Sequence, residues 1–161
     1  MIGQRRTLTI VESVWDYPRP PRVELSNRRA RVELAGVTVA DSTRARRVLE
    51  TSQAPGIYFP PEDVSHLEQV GRRSLCEWKG QAVYFDVVVG ERRAEAAGWA
   101  YPDPVEHYAE LRDHVAFYPQ FVDACWLGDE RVAPNGGDFY GGWITGDVQG
   151  PFKGAPGTRG W

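Results

Sequence analysis

QAVYFDVVV, residues 81–89, is entered from Lys79-Gly80 and left at Gly90. β-Branched and aromatic side chains fill six of its nine positions, which suits a pleated, largely buried strand. Successive side chains on a strand point to opposite faces. Ala82, Tyr84 and Asp86 therefore share one face, and Val83, Phe85 and Val87 share the other. Residues 94–101 (AEAAGWAY) read as the antiparallel partner, with Ala97, Trp99 and Tyr101 on a common face. If the two strands pair as a hairpin, Tyr84, Trp99 and Tyr101 form one aromatic wall with Trp78 at its rim. Such a wall either lines a pocket for a flat or cationic ligand or fills the core between packed sheets.

Outward from this hairpin the chain stays rich in strands. Residues 31–41 read as a second hairpin, with Val32 and Leu34 alternating on one arm, Ala35-Gly36 turning, and Val37 and Val39 on the other. Ile57-Tyr58-Phe59 is a short strand stopped by Pro60-Pro61. Pro61-Glu62-Asp63 opens a helical turn, with acids where a helix N-terminus favours them. Strands are also expected over 7–15, 115–118 and 121–127, with a turn at Gly128-Asp129. Residues 43–50 are ambiguous, because Ala45, Val48 and Leu49 have helical spacing over a short stretch. Residues 105–114 have weak helical character. Asp16–Pro21 is a stiff proline-rich arm. The fold class expected is mainly β (α+β), with compact antiparallel sheets and short helical turns.

At 161 residues the chain suits a single domain of ordinary apolar and charged content. We place the body at residues 1–134 and a separate tail at 135–161. That tail is dominated by glycine and carries Phe139, Tyr140, Trp143, Phe152 and Trp161. A disordered segment does not normally carry five rings, so an ordered tail is expected, packed on the domain or clasping a second copy as a homo-oligomer.

Charge is unevenly spread. Residues 1–47 hold ten arginines against five acids, yet the whole chain has a net charge of −3. The arginines are scattered singly along strands, which argues for solvated faces over a nucleic-acid surface. No stretch reaches the roughly 18 apolar residues of a membrane span. Arg5-Arg6 is not followed by a signal-type apolar run. Cys76 and Cys125 are the two cysteines, without CxxC spacing, which suits a reducing, cytoplasmic location. His66, His107 and His114 have no matching acidic or thiol partners, so neither a metal nor another cofactor is expected.

Ser74-Leu75-Cys76-Glu77-Trp78-Lys79-Gly80-Gln81-Ala82-Val83-Tyr84 resembles the central motif of the family catalogued as domain of unknown function 427. Members usually show Cys-Pro-x-Lys-Gly followed by Ala and an aromatic residue. Asp41-Ser42-Thr43-Arg44-Ala45 before Glu50, Tyr58–Val64, and Ala97–Pro104 with Val115–Tyr118 beyond it are also similar. The resemblance covers about residues 22–124, and Glu77 stands where the family usually has proline. It implies a compact β arrangement similar to the β-tent. The zinc-holding cysteine pairs of that architecture are missing here, so a structural zinc is not carried over. The family has also been labelled nucleotidyltransferase, but no Asp-x-Asp pair is present to hold metal ions.

Two chemical readings stay open at this point. Lysine is scarce: seventeen arginines stand beside only Lys79 and Lys153. An ammonium charge favours a neighbouring thiolate, so Cys76 reads as a nucleophile or redox thiol, supported by Lys79 and an acid such as Asp63. The plainer alternative is that Cys76 is a structural thiol and Lys79 a sheet-rim cation, since cysteine is among the most often buried residue types. The binding reading instead takes Trp78, Tyr84, Trp99 and Tyr101 as the wall of a small-molecule or modified-residue pocket. Ser42, Arg44, Glu50 and Asp63, each at the end of an apolar segment, would serve as its polar rim.

Overall fold

The computed structural model describes residues 11–76, 78–135 and 140–153. The chain opens with β1 (Glu12–Ser13), a 3-10 turn over Val14–Asp16, and β2 (Arg22–Leu25). Next come the hairpin β3 (Ala30–Leu34) and β4 (Val37–Ser42), then β5 (Arg46–Leu49) and β6 (Gly56–Phe59). After a 3-10 turn over Pro61–Asp63 run three long strands: β7 (Leu67–Cys76), β8 (Gly80–Val89) and β9 (Arg92–Ala100). Beyond the 3-10 segment Glu106–Leu111 lie β10 (Val115–Phe117), β11 (Ala124–Leu127) and β12 (Glu130–Arg131). The last strands are two-residue pieces: β13 (Ala133–Pro134), β14 (Trp143–Ile144) and β15 (Val148–Gln149).

Among the described residues the fold is mostly β, in antiparallel sheets not closed into a barrel. The larger sheet has the order β2-β5-β6-β10-β9-β8-β7, and a smaller one the order β12-β11-β3-β4. Period-2 alternation explains how they meet. Ile57, Phe59, Val83, Val87, Val115 and Phe117 leave the inner face of the larger sheet. They pack on Val32, Leu34, Val39, Cys125 and Leu127 from the smaller sheet. The intervening residues Tyr58, Ala82, Tyr84, Ala116 and Tyr118 form a second buried cluster on the outer face. Tyr108 and Leu111, from the 3-10 segment after β9, join that outer cluster.

Several local expectations give way to tertiary pairing. Residues 46–49 are a strand, not a helix, because β5 is hydrogen-bonded on both sides, to β2 and to β6. A ladder on each side outweighs the helical spacing of three apolar residues over one short stretch. Of the strand expected over 7–15, residues 7–10 lie outside the described part. Within the remainder, Ser13 Oγ accepts the Trp15 N–H at 3.3 Å and turns the chain into its 3-10 helix. Strand β7 is poorly marked in the sequence: most of its side chains are exposed, as suits a sheet edge.

Two irregularities re-aim side chains. In β7 the register slips between Val70 and Arg73, inserting Gly71 and Arg72. In β9 it slips opposite Phe85–Val87, and Ala96 takes φ +47°. Asp86, itself buried, holds this second bulge. Its carboxylate accepts the Ala96 N–H at 2.8 Å and pairs with Arg93 at 2.7 Å. The bulge separates Ala97 from Trp99: Ala97 packs in the inner core, whereas Trp99 and Tyr101 belong to the outer cluster.

Residues 140–153 lie against the domain. The Trp143 N–H donates to the Pro55 carbonyl at 2.8 Å, β14 pairs with β13, and β15 pairs in parallel with β1. Gly136 to Phe139, and Trp161 among the tail aromatics, are outside the described residues.

Candidate functional site

The outer face of the larger sheet carries one row of residues set by strand register. Tyr84 on β8 lies opposite Trp99 on β9, Trp99 opposite Ala116 on β10, and Ala116 opposite Tyr58 on β6. The small side chain of Ala116 lets its two neighbours meet above it. The Trp99 indole N–H donates to the Tyr58 hydroxyl oxygen at 3.2 Å, with the rings edge-to-face at 6.0 Å. Tyr118 lies 4.5 Å from the Trp99 ring, and Tyr101 stacks on Tyr58 at 6.2 Å. Burial pushes the hydroxyls of Tyr58, Tyr101 and Tyr118 up, so they stay protonated near neutral pH.

These rings do not fill their side of the sheet. A hollow of about 370 Å³ opens among them, bounded also by Val48, Ala54 and Gly56. The turn from β7 to β8 supplies one wall, with Cys76, Trp78 and Lys79. Cys76 pairs with Gly80 across this turn, and Gly80 takes φ +114°. A Cβ at Gly80 would sit 3.3 Å from the Asp103 carbonyl oxygen, so the turn rests directly on the backbone after β9. The Val105 N–H donates to the Lys79 carbonyl at 3.0 Å and secures it. Glu77, the residue replacing the family proline, lies outside the described residues.

Lys79 is only 6% exposed. Its ammonium lies 3.9 Å from Glu50 and 5.8 Å from the centre of the Tyr101 ring. Burial opposes the charge, but Tyr58, Cys76 and Glu50 together hold its pKa above the usual lysine value. Lys79 is thus a fixed cation in the wall, not a neutral amine. Of the two cysteines, Cys76 is half-buried at the hollow, while Cys125 lies in the inner core with its thiol pushed up by burial.

The polar rim is only partly assembled here. Glu50 lines the hollow, but Ser42, Arg44 and Asp63 do not. Ser42 Oγ donates to Asp63 at 2.7 Å and accepts the Arg44 N–H at 2.9 Å. Arg44 also pairs with Glu62 at 3.0 Å and with Asp63 at 3.4 Å. These bonds fasten the chain after β4 to the 3-10 turn at Pro61–Asp63. That turn stands at the far end of β6, which explains why ends of apolar segments need not converge. Asp63 is accordingly not beside Cys76. Among the described residues no group of three His, Cys, Asp or Glu side chains is placed to hold a metal ion.

Other lining residues were not singled out from the sequence. Tyr58 sits on a strand that the sequence does mark and Tyr118 directly follows another, and alternation against Ile57, Phe59 and Phe117 would have placed them outward. Arg72 gave no such signal. It is exposed at the β7 bulge, where its guanidinium lies 4.5 Å over the Tyr84 ring. Ser74 Oγ and the Tyr84 hydroxyl are hydrogen-bonded at 2.7 Å. Tyr140, Gly141 and Gly142 from the tail complete the lining. A Cβ at Gly141 would collide with the Trp99 ring, so the backbone lies flat against the indole.

No curated protein matches this chain. The family model described as Domain of unknown function (DUF427) matches residues 22–128. That span contains the whole β7–β8 turn and the row of rings, but not the tail residues that close the hollow. Two thirds of the sequence lie within the match, and the chain belongs to the DUF427 family.

Proposed function

We propose that this protein binds a small molecule in the hollow on the outer face of the larger sheet. One observation carries the reading: seven rings surround about 370 Å³ of unfilled space with a buried ammonium in its wall. Space of this size falls within the range of about 300–1,000 Å³ typical of ligand sites. Ring clusters that serve only as core pack without voids larger than a water molecule. A buried titratable group with a shifted pKa in the wall of a cleft is likewise a mark of functional sites.

The test is a fluorescence titration against a panel of planar aromatic, heterocyclic and nucleoside compounds. At least one should quench tryptophan emission saturably, and Trp99→Phe should lower that response to the part that comes from Trp78. Native mass spectrometry of protein purified from its own host should show mass above that of the bare 18.1 kDa chain. Silence across the panel together with bare mass would overturn the reading.

A thiol enzyme is the second reading, and the observation favouring it is that Cys76 opens into the same hollow as Lys79. Iodoacetamide should then alkylate Cys76 in the folded protein at least tenfold faster than a free cysteine at the same pH, with a bound ligand protecting it. Alkylation that requires denaturant removes Cys76 as a nucleophile and leaves the binding reading untouched.

A further inference from the structure

We infer that the hollow selects planar aromatic molecules bearing an anionic group, and discriminates against cations. The inference rests on the binding reading above and adds the class of ligand. A ring-lined cavity on its own equally suits a cation, because the faces of aromatic rings are electron-rich. Here three of those rings already have cations of the protein over them. Arg72 lies 4.5 Å over Tyr84, Lys79 lies 5.8 Å over Tyr101, and Lys153 lies 5.5 Å over Tyr140. An incoming ammonium would meet rings already engaged and their like charges. Among the described residues Glu50 is the one carboxylate lining the hollow, against the two cations Lys79 and Arg72.

The Lys79–Glu50 separation of 3.9 Å is long for a charge-assisted hydrogen bond, and Cys76 engages one of the three ammonium protons, so the ammonium can still donate to another acceptor. The Tyr58 hydroxyl accepts hydrogen bonds from Trp99 and Tyr101 and is held protonated by burial, so its own proton is able to go to an anion. Among the described lining rings, the half-buried Trp78 and the part of Trp99 not covered by Gly141 have no cation over them and are left to meet the flat body of the guest. Arg72, exposed at the mouth, adds positive potential on the way in.

Calorimetric titration of the full chain with three ring systems, phenyl, indolyl and naphthyl, tests this. Each ring is presented as its carboxylate, its carboxamide and its methylammonium derivative. The carboxylate of at least one ring should bind roughly tenfold or more tightly than its amide, with the ammonium weakest. Lys79→Met should bring the carboxylate-to-amide ratio to about one, and Glu50→Gln should raise it severalfold. Arg72→Gln, at an exposed site that leaves the fold intact, should lower it severalfold. An amide or ammonium that binds as well as its carboxylate overturns the inference but leaves the binding reading standing. So does a ratio unmoved by both Arg72→Gln and Lys79→Met. No binding by any of the nine compounds also overturns the inference, while the binding reading falls only if the wider panel and native mass spectrometry are silent too.

Discussion

Trp143→Ala should lower stability by about 3–5 kcal/mol, the range for removing a large buried aromatic. Trp143 is 1% exposed and sits in the inner core against Phe59, with ring centres 5.9 Å apart. Its indole N–H donates to the Phe117 carbonyl at 3.1 Å, a buried bond whose loss adds to the cavity left behind. For a chain of this size each kcal/mol moves the midpoint by about 2–4 °C, so thermal unfolding followed by circular dichroism should fall by about 6–20 °C. Trp143→Phe keeps most of the apolar volume and should cost less than half as much. A melting point within about 2 °C of the parent in Trp143→Ala would refute the view that residues 140–153 are an integral part of the core.

Gly142→Val should be nearly as damaging, by about 3 kcal/mol, and for a different reason. A Cβ at this position would lie 2.5 Å from the Ala54 carbonyl oxygen and 2.7 Å from the Ala54 Cβ. The Ala54 segment cannot readily yield, because the neighbouring Pro55 carbonyl accepts the Trp143 N–H. The tail must therefore lift, and Trp143, the next residue, leaves its seat with it. Shared consequences make the two substitutions non-additive: the double variant should melt close to the worse single one. Gly146→Ala is the control. Its Cβ would meet Glu130 at 3.4 Å on an exposed turn, so its effect should stay within about 0.5 kcal/mol. Because Gly141 and Tyr140 line the hollow beside Gly142, Gly142→Val should also weaken any quenching ligand more than tenfold. A variant that melts and titrates like the parent would show that this glycine is not needed for close approach.

Legibility of the site from the sequence varied with how local its cause was. Tyr84 and Trp99 were placed on one wall because strand geometry alone alternates faces, and the β8–β9 register does set them opposite each other. The β7–β8 turn was legible as a motif, and Cys76, Trp78 and Lys79 lie together because only a few residues separate them. Ser42, Arg44 and Asp63 were grouped with these on position in the chain. Their own hydrogen bonds gather them at a different turn. Tyr58 and Tyr118 enter through pairing of β6 and β9 with β10, contacts across some 60 and 20 residues that no local pattern encodes.

Residue-level chemistry in the sequence alone determined that the chain is mostly β, where strand β8 lies, and which side chains on it face which way. Those properties follow from steric preference and the two-residue period of an extended backbone. Only tertiary structure decided that residues 46–49 extend instead of coiling, that bulges swing Ala97 inward and Arg72 over Tyr84, and that a glycine backbone closes the hollow over Trp99. Each of these depends on which distant strand supplies hydrogen bonds and how much room its side chains leave, and that information exists only once the sheets have formed.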